Sequence, residues 1–122
     1  MTRRELRESV ITKLYQHDLD DAILISDIGE DGLLYLDVIN HKEEIDKIIS
    51  KSLIGYTLMR LSIIDRAIMR LATYEMKYTD THHAIIINEA IELTKKFSDI
   101  DDKQTRFNNK LLENIKKTLG KQ

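Results

Sequence analysis

The segment RLSIIDRAIMRLATYEM, residues 60–76, decides the fold class. Leu61, Ile64, Ile68 and Leu71 fall at i, i+3, i+7 and i+10, with Ala72 beside them, which is the spacing of one helix face. Ser62-x-x-Asp65 has the form of a capping box, whose side chains satisfy N–H groups that the first turn leaves open. Gly55 marks the break before this helix, and residues 78–81 read as a polar loop after it.

The same period extends outward in both directions. Downstream, Ile87, Ala90, Ile91 and Thr94 share a face, flanked by Ile86, Leu93 and Phe97. That wide apolar arc predicts a central helix, with Asp80 or Thr81 as its cap. After the loop SDIDD at 98–102, Phe107, Leu111, Leu112, Ile115 and Leu119 form a last stripe that ends near Gly120. Upstream, the pattern predicts one long helix over about 33–53, bent near 40–44. GEDG at 29–32 reads as a turn, and AILIS at 22–26 as a short helix. The first helix starts at Thr2, where Thr2-x-x-Glu5 is another capping box. Leu6, Val10 and Leu14 recur behind it, widened by Ile11 and Tyr15, and the helix is expected to fade at 17–20.

With 122 residues, four Gly and no Pro, the chain lacks the turn punctuation that strands require. We expect a single all-α domain of about six helices. No Cys is present, which removes disulfides, thiolate metal sites and thiol nucleophiles. No apolar run approaches the ~18 residues of a membrane span. MTRRELRES lacks the apolar centre of a secretion signal, so the expected location is the cytoplasm.

The net charge of -2 hides an uneven distribution. Residues 1–17 hold four basic and two acidic groups, a sum of +2, and residues 95–122 hold eight and four, a sum of +4. Between them, residues 18–46 hold ten acidic groups and one basic, a sum of -9. If the first and last helices lie side by side, their basic ends merge into a surface that attracts phosphate. The alternative is that these are solvated faces.

Most catalytic and metal motifs fail. Asp27-x-Gly29-x-Asp31-Gly32 resembles a calcium loop, but Gly29 stands where an oxygen ligand is needed and Val38 where a bidentate Glu belongs. His82 and His83 are adjacent, so they point about 100° apart on a helix and do not suit one ion. No phosphate-binding glycine loop or nucleophile elbow occurs. No catalytic residue, metal or cofactor is therefore expected, and an enzyme is not.

Binding residues remain. Arg3, Arg4 and Arg7 lie in the first two turns of the first helix, where cations work against the macrodipole. Guanidinium groups there suit phosphates, or else they solubilise the terminus beside Glu5 and Glu8. Near the start of the last helix, Lys103, Arg106 and Lys110 interleave with Phe107, Asn108 and Asn109. A ring beside amides and cations is a platform for single-stranded RNA. Phe107 also falls on the apolar stripe with Leu111, so the alternative is core.

RLSIIDRAIMRLATYEM at 60–76, INEAIELTKKF at 87–97 and RFNNKLLENI at 106–115 resemble the NusB family of bacterial transcription antitermination factors. RRELRES-x3-KLYQ at 3–16 is similar to that family's arginine-rich opening. The resemblance is weak over 18–53. Where the family's last helix usually reads Phe-Val-Asn-Gly, this chain has Phe107-Asn108-Asn109-Lys110.

The resemblance implies two packed three-helix subdomains, about 1–53 and 56–122. It implies binding of boxA-type RNA in ribosomal RNA leaders, together with NusE, a small-subunit ribosomal protein, within an RNA polymerase antitermination complex. It assigns Arg3, Arg4, Arg7, Lys103, Phe107 and Asn109 to RNA, beside Arg106 from the reading above, and Tyr15 and Asp65 to the protein partner. Homodimers that hide the RNA surface also occur in the family. A similar module opens some ribosomal RNA cytosine methyltransferases, but no cofactor-binding strand pattern follows here. A helical protein-interaction scaffold without RNA is the remaining alternative.

Overall fold

The computed structural model describes residues 1–21, 29–98 and 101–120. Every regular element among them is helical: α1 (Arg3–Leu19), α2 (Glu30–Asn40), α3 (Lys42–Ser52), a 3₁₀ turn (Leu58–Arg60), α4 (Ile63–Tyr78), α5 (His83–Phe97) and α6 (Lys103–Gly120). The short helix expected at 22–26 lies outside the described residues.

α1 begins as the capping box requires. The Thr2 hydroxyl accepts from the Glu5 backbone N–H at 3.1 Å, and the Thr2 N–H donates to Glu5 Oε1 at 2.8 Å. Leu6, Val10, Ile11 and Leu14 are buried. The turn expected at 29–32 is instead the opening of a helix: Gly29 is the N-cap of α2, and Glu30 and Asp31 lie in its first turn, where acids suit the dipole. The long helix expected over 33–53 is two helices. The chain breaks at His41, whose backbone N–H still donates to Asp37 and Val38 carbonyls while φ and ψ move to -108° and 10°. The His41 ring lies against Tyr78, 4.3 Å between centroids, so tertiary packing holds this corner.

Gly55 takes φ +67°, a conformation side chains resist, and turns the chain toward α4. Ser62 caps α4 by accepting from the Asp65 N–H at 3.2 Å, while its own hydroxyl donates to Asp65 Oδ2 at 2.6 Å. α4 is buried at every residue from Asp65 to Met76. It packs against α1, α2, α3, α5 and α6. The central helix is thus α4, and not α5 as its apolar arc suggested: Ile85 and Phe97 of α5 are exposed. α5 is capped at His82 without a side-chain bond, so neither Asp80 nor Thr81 takes that role.

Central α4 carries charge into the core, and its two buried arginines are paired with carboxylates. Arg66 Nε donates to Asp18 Oδ2 at 3.0 Å, Arg70 Nη1 donates to the same oxygen at 3.0 Å, and Arg70 Nε donates to Asp46 Oδ1 at 2.9 Å. This chain of ions ties the end of α1 and the middle of α3 to α4. Burial pushes the Asp18 carboxyl up, but the two guanidinium groups outweigh it and hold it below its ordinary value.

Candidate nucleic-acid interface

The three N-terminal arginines do not share one fate. Arg3 is exposed, with Glu30 and Glu75 oxygens both 3.8 Å away. Arg4 is half-exposed and donates to Glu89 Oε2 of α5 through Nε at 3.1 Å and Nη2 at 2.6 Å. Arg7 points inward. Its side chain is 5 % exposed, and it donates in a bidentate fork to Glu75 of α4, Nε to Oε2 and Nη2 to Oε1, both at 2.9 Å. Those hydrogen bonds raise the guanidinium above its ordinary pKa. Arg7 is therefore engaged in a buried ion pair, and its fork is turned away from solvent.

α1 and α6 do not form a close-packed pair, and α4 packs against both. α5 packs along α6 and is tied to α1 by Arg4–Glu89 and Lys96–Glu8. Two cations are neutralised locally by these bridges, and Arg3 keeps the most open position of the three arginines.

The start of α6 keeps more of its charge available. Asp102 has φ +67° at the entry, and Asp101 Oδ1 accepts from the Lys103 N–H at 3.3 Å. Lys103, Arg106 and Lys110 are exposed and recur at three- and four-residue intervals, so they line one face. Lys103 has only a 4.0 Å approach to Asp101, and Arg106 and Lys110 have no ion-pair partner among the described residues. Asn109 is exposed on the same turn, and Phe107 is half-buried with its ring against Tyr56 at 5.3 Å.

Asn108 differs from its neighbours. It is fully buried. Its Nδ2 donates to Asp65 Oδ1 and Thr94 Oγ1, both at 3.0 Å, and its Oδ1 accepts from Gln104 Nε2 at 2.9 Å. One side chain thus joins α4, α5 and α6, and both ends of its amide are satisfied, which is what buried polar groups require. It does not read bases. The sequence signal was available: Asn108 sits three, four and seven residues before Leu111, Leu112 and Ile115, so a polar group falls on the core stripe. Asp65 belongs to the same network. At 2 % exposure it is a buried acceptor for Ser62 and Asn108. Tyr15 is exposed on α1.

The rejected motifs keep structural roles. Asp31 accepts from Ser9 at 2.6 Å and from Lys13 at 3.0 Å, and these bonds lower its carboxyl to about 2. Asp27 lies outside the described residues. His83 is hydrogen-bonded to the Met76 carbonyl at 3.1 Å. Among the described residues no His, Cys, Asp and Glu group is placed to hold a metal ion, and no helix is long and apolar enough to cross a membrane.

This helical arrangement and its sequence have known counterparts. The NusB family model matches residues 32–117. The chain is 40% identical over 131 residues to the transcription antitermination protein NusB of Bacillus subtilis (strain 168), covering 98% of each. It is 41% identical over 128 residues to that of Bacillus velezensis, covering 95% of this chain and 96% of that one. Among solved structures, T. maritima NusB superposes with a TM-score of 0.82 at 28% identity, over 96% of this chain and 92% of that one. A chain from the crystal structure of a plectonemic RNA supercoil gives 0.77 at 27% identity, over 94% of each. The chain belongs to the NusB family.

Proposed function

We propose that this chain is a transcription antitermination factor that binds boxA-type single-stranded RNA in ribosomal RNA leaders. It does so with a NusE-like small-subunit ribosomal protein, within the RNA polymerase antitermination complex of the cytoplasm. The observation that carries the RNA reading is the exposed strip at the start of α6: Lys103, Arg106 and Asn109 around the half-buried Phe107 ring. Exposed cations supply phosphate attraction, and an exposed ring edge supplies a stacking surface. Arg3 and Arg4 extend the basic surface across α5. Arg4 must exchange Glu89 for phosphate to take part. Arg7 contributes by holding α1 in place. Tyr15 is the proposed protein contact, and Asp65 acts behind it by fixing the start of α4. Two likenesses support this reading: the relatives are named transcription antitermination proteins, and one structural neighbour comes from the crystal structure of an RNA supercoil.

Fluorescence anisotropy with boxA-type and scrambled RNA, with and without the NusE-like protein, tests it. Preference for the boxA-type RNA, strengthened by the partner, is the expected result. Equal weak binding to both RNAs favours a protein scaffold, and a homodimer that dissociates on RNA addition fits the proposal.

A further inference from the structure

The segment between α3 and α4 carries an aromatic and apolar surface that the core does not use. Ile54 is 82 % exposed and Met59 70 % exposed. Tyr56 is partly exposed and lies against Phe107, 5.3 Å between centroids at 57°. The Arg60 guanidinium sits 4.7 Å from the Tyr56 ring centroid, close enough for a cation–π contact. Beside the pair, a groove of about 220 Å³ opens between Leu53, Ile54, Phe107, Leu111 and Lys110. It is smaller than the ~300–1,000 Å³ of pockets that enclose drug-sized ligands. A flat ring suits it better than a whole metabolite.

We propose that single-stranded RNA continues past α6 onto residues 53–60. One base enters the groove against Phe107 and Ile54, and its neighbour rests on Tyr56. The inference rests on the RNA reading above and lengthens its footprint. Two features favour RNA over an apolar peptide. The lining holds Lys110 and no carboxylate among the described residues. Arg60, Arg106 and Lys110 form no ion pair among the described residues, so the rim is free for phosphate. Rings with cations at their edges form the surface on which successive bases stack without sequence preference. Phe107 belongs to both surfaces, so the path is continuous.

The test uses the full chain and boxA-type RNA carrying 4-thiouridine at successive positions outside the core element. Photocrosslinks mapped by mass spectrometry are expected within 53–60. Tyr56→Ala is expected to weaken binding about tenfold, about 1.4 kcal/mol, without changing the salt slope. Tyr56→Phe keeps wild-type affinity. Ile54→Glu places a carboxylate at the groove on an exposed side chain that the fold does not need, and it weakens binding while the melting temperature stays unchanged. Crosslinks confined to residues 3–4 and 103–109, with Tyr56→Ala and Ile54→Glu at wild-type affinity, overturn the inference and leave the RNA reading standing. Wild-type protein that binds no RNA overturns both. Loss of a protein partner but not of RNA in Ile54→Glu overturns it in favour of protein docking.

Discussion

Replacing Arg7 by alanine removes both hydrogen bonds to Glu75 and leaves a buried carboxylate. Hydrogen bonds to charged groups contribute about 1.5–3 kcal/mol each, and breaking one partner of a buried ion pair costs about 3–5 kcal/mol. The Arg3 guanidinium stands 3.8 Å from Glu75 Oε1 and can partly compensate, so the lower end, about 3 kcal/mol, is expected. A domain of this size has roughly 5–15 kcal/mol in total. The variant should therefore stay folded at low temperature and melt roughly 10–20 °C early. The double variant Arg7→Met, Glu75→Leu replaces the pair with apolar groups of similar reach. Such exchanges are neutral or stabilising in other proteins, so most of the loss should return. Urea unfolding measures stability, and RNA anisotropy on the folded double variant measures function. Restored stability with retained RNA affinity is expected if Arg7 is structural. Restored stability with lost RNA affinity would show that Arg7 meets phosphate, and a loss below about 1 kcal/mol in Arg7→Ala would refute the energetic argument.

Further expectations follow from other sites. Asn108→Val removes two donated hydrogen bonds, one of them to the buried Asp65, and should cost about 2–3 kcal/mol in thermal or urea unfolding; wild-type stability would mean that the network is not satisfied as described. Glu89→Gln releases Arg4 and should raise RNA affinity a few fold at low salt, whereas no change would mean that Arg4 plays no part. Arg106→Ala should lower the slope of log affinity against log salt by about 0.7, one single-strand phosphate contact; an unchanged slope would remove Arg106 from the site. For Asp31, the folded carboxyl titrates near 2, below its unfolded value of about 3.9. The stability it contributes is present above the unfolded value and is lost as pH falls toward 2. An NMR titration should place its midpoint near 2 in the wild type and higher in Lys13→Met; a wild-type midpoint near 3.9 contradicts the Ser9 and Lys13 bonds.

How much of this was legible in the sequence depended on range. Helix positions were readable because their signals are local: Thr2 with Glu5, Ser62 with Asp65, and the stripe from Leu61 to Ala72. The break at His41 was foreseen only as a bend, because the contacts with Tyr74 and Tyr78 that hold it come from another helix. GEDG was misread because a glycine pair suggests a turn, while Gly29 in fact serves as the N-cap of α2. The burial of Arg7 was not legible because its side chain is claimed by Glu75, 68 positions away. Spacing places Arg3 and Arg7 on one face but does not say which end of that face is covered. Asn108 and Asp65 meet across 43 positions, so the core stripe of α6 marks the amide as buried but does not say which groups it bonds. Lys103, Arg106 and Asn109 stayed exposed because nothing on α4 or α5 competes for them among the described residues.

The central claim is that RNA lies on the exposed strip at the start of α6 and on the open end of α1. The most direct measurement is an NMR map of amide shifts in labelled protein titrated with boxA-type RNA. Shifts concentrated at Arg3, Arg4, Lys103, Arg106, Phe107 and Asn109 are expected, with residues of the acidic α2 and of the charge-balanced α3 unmoved. Shifts centred on α2 and α3, or spread evenly over the protein, would contradict the account.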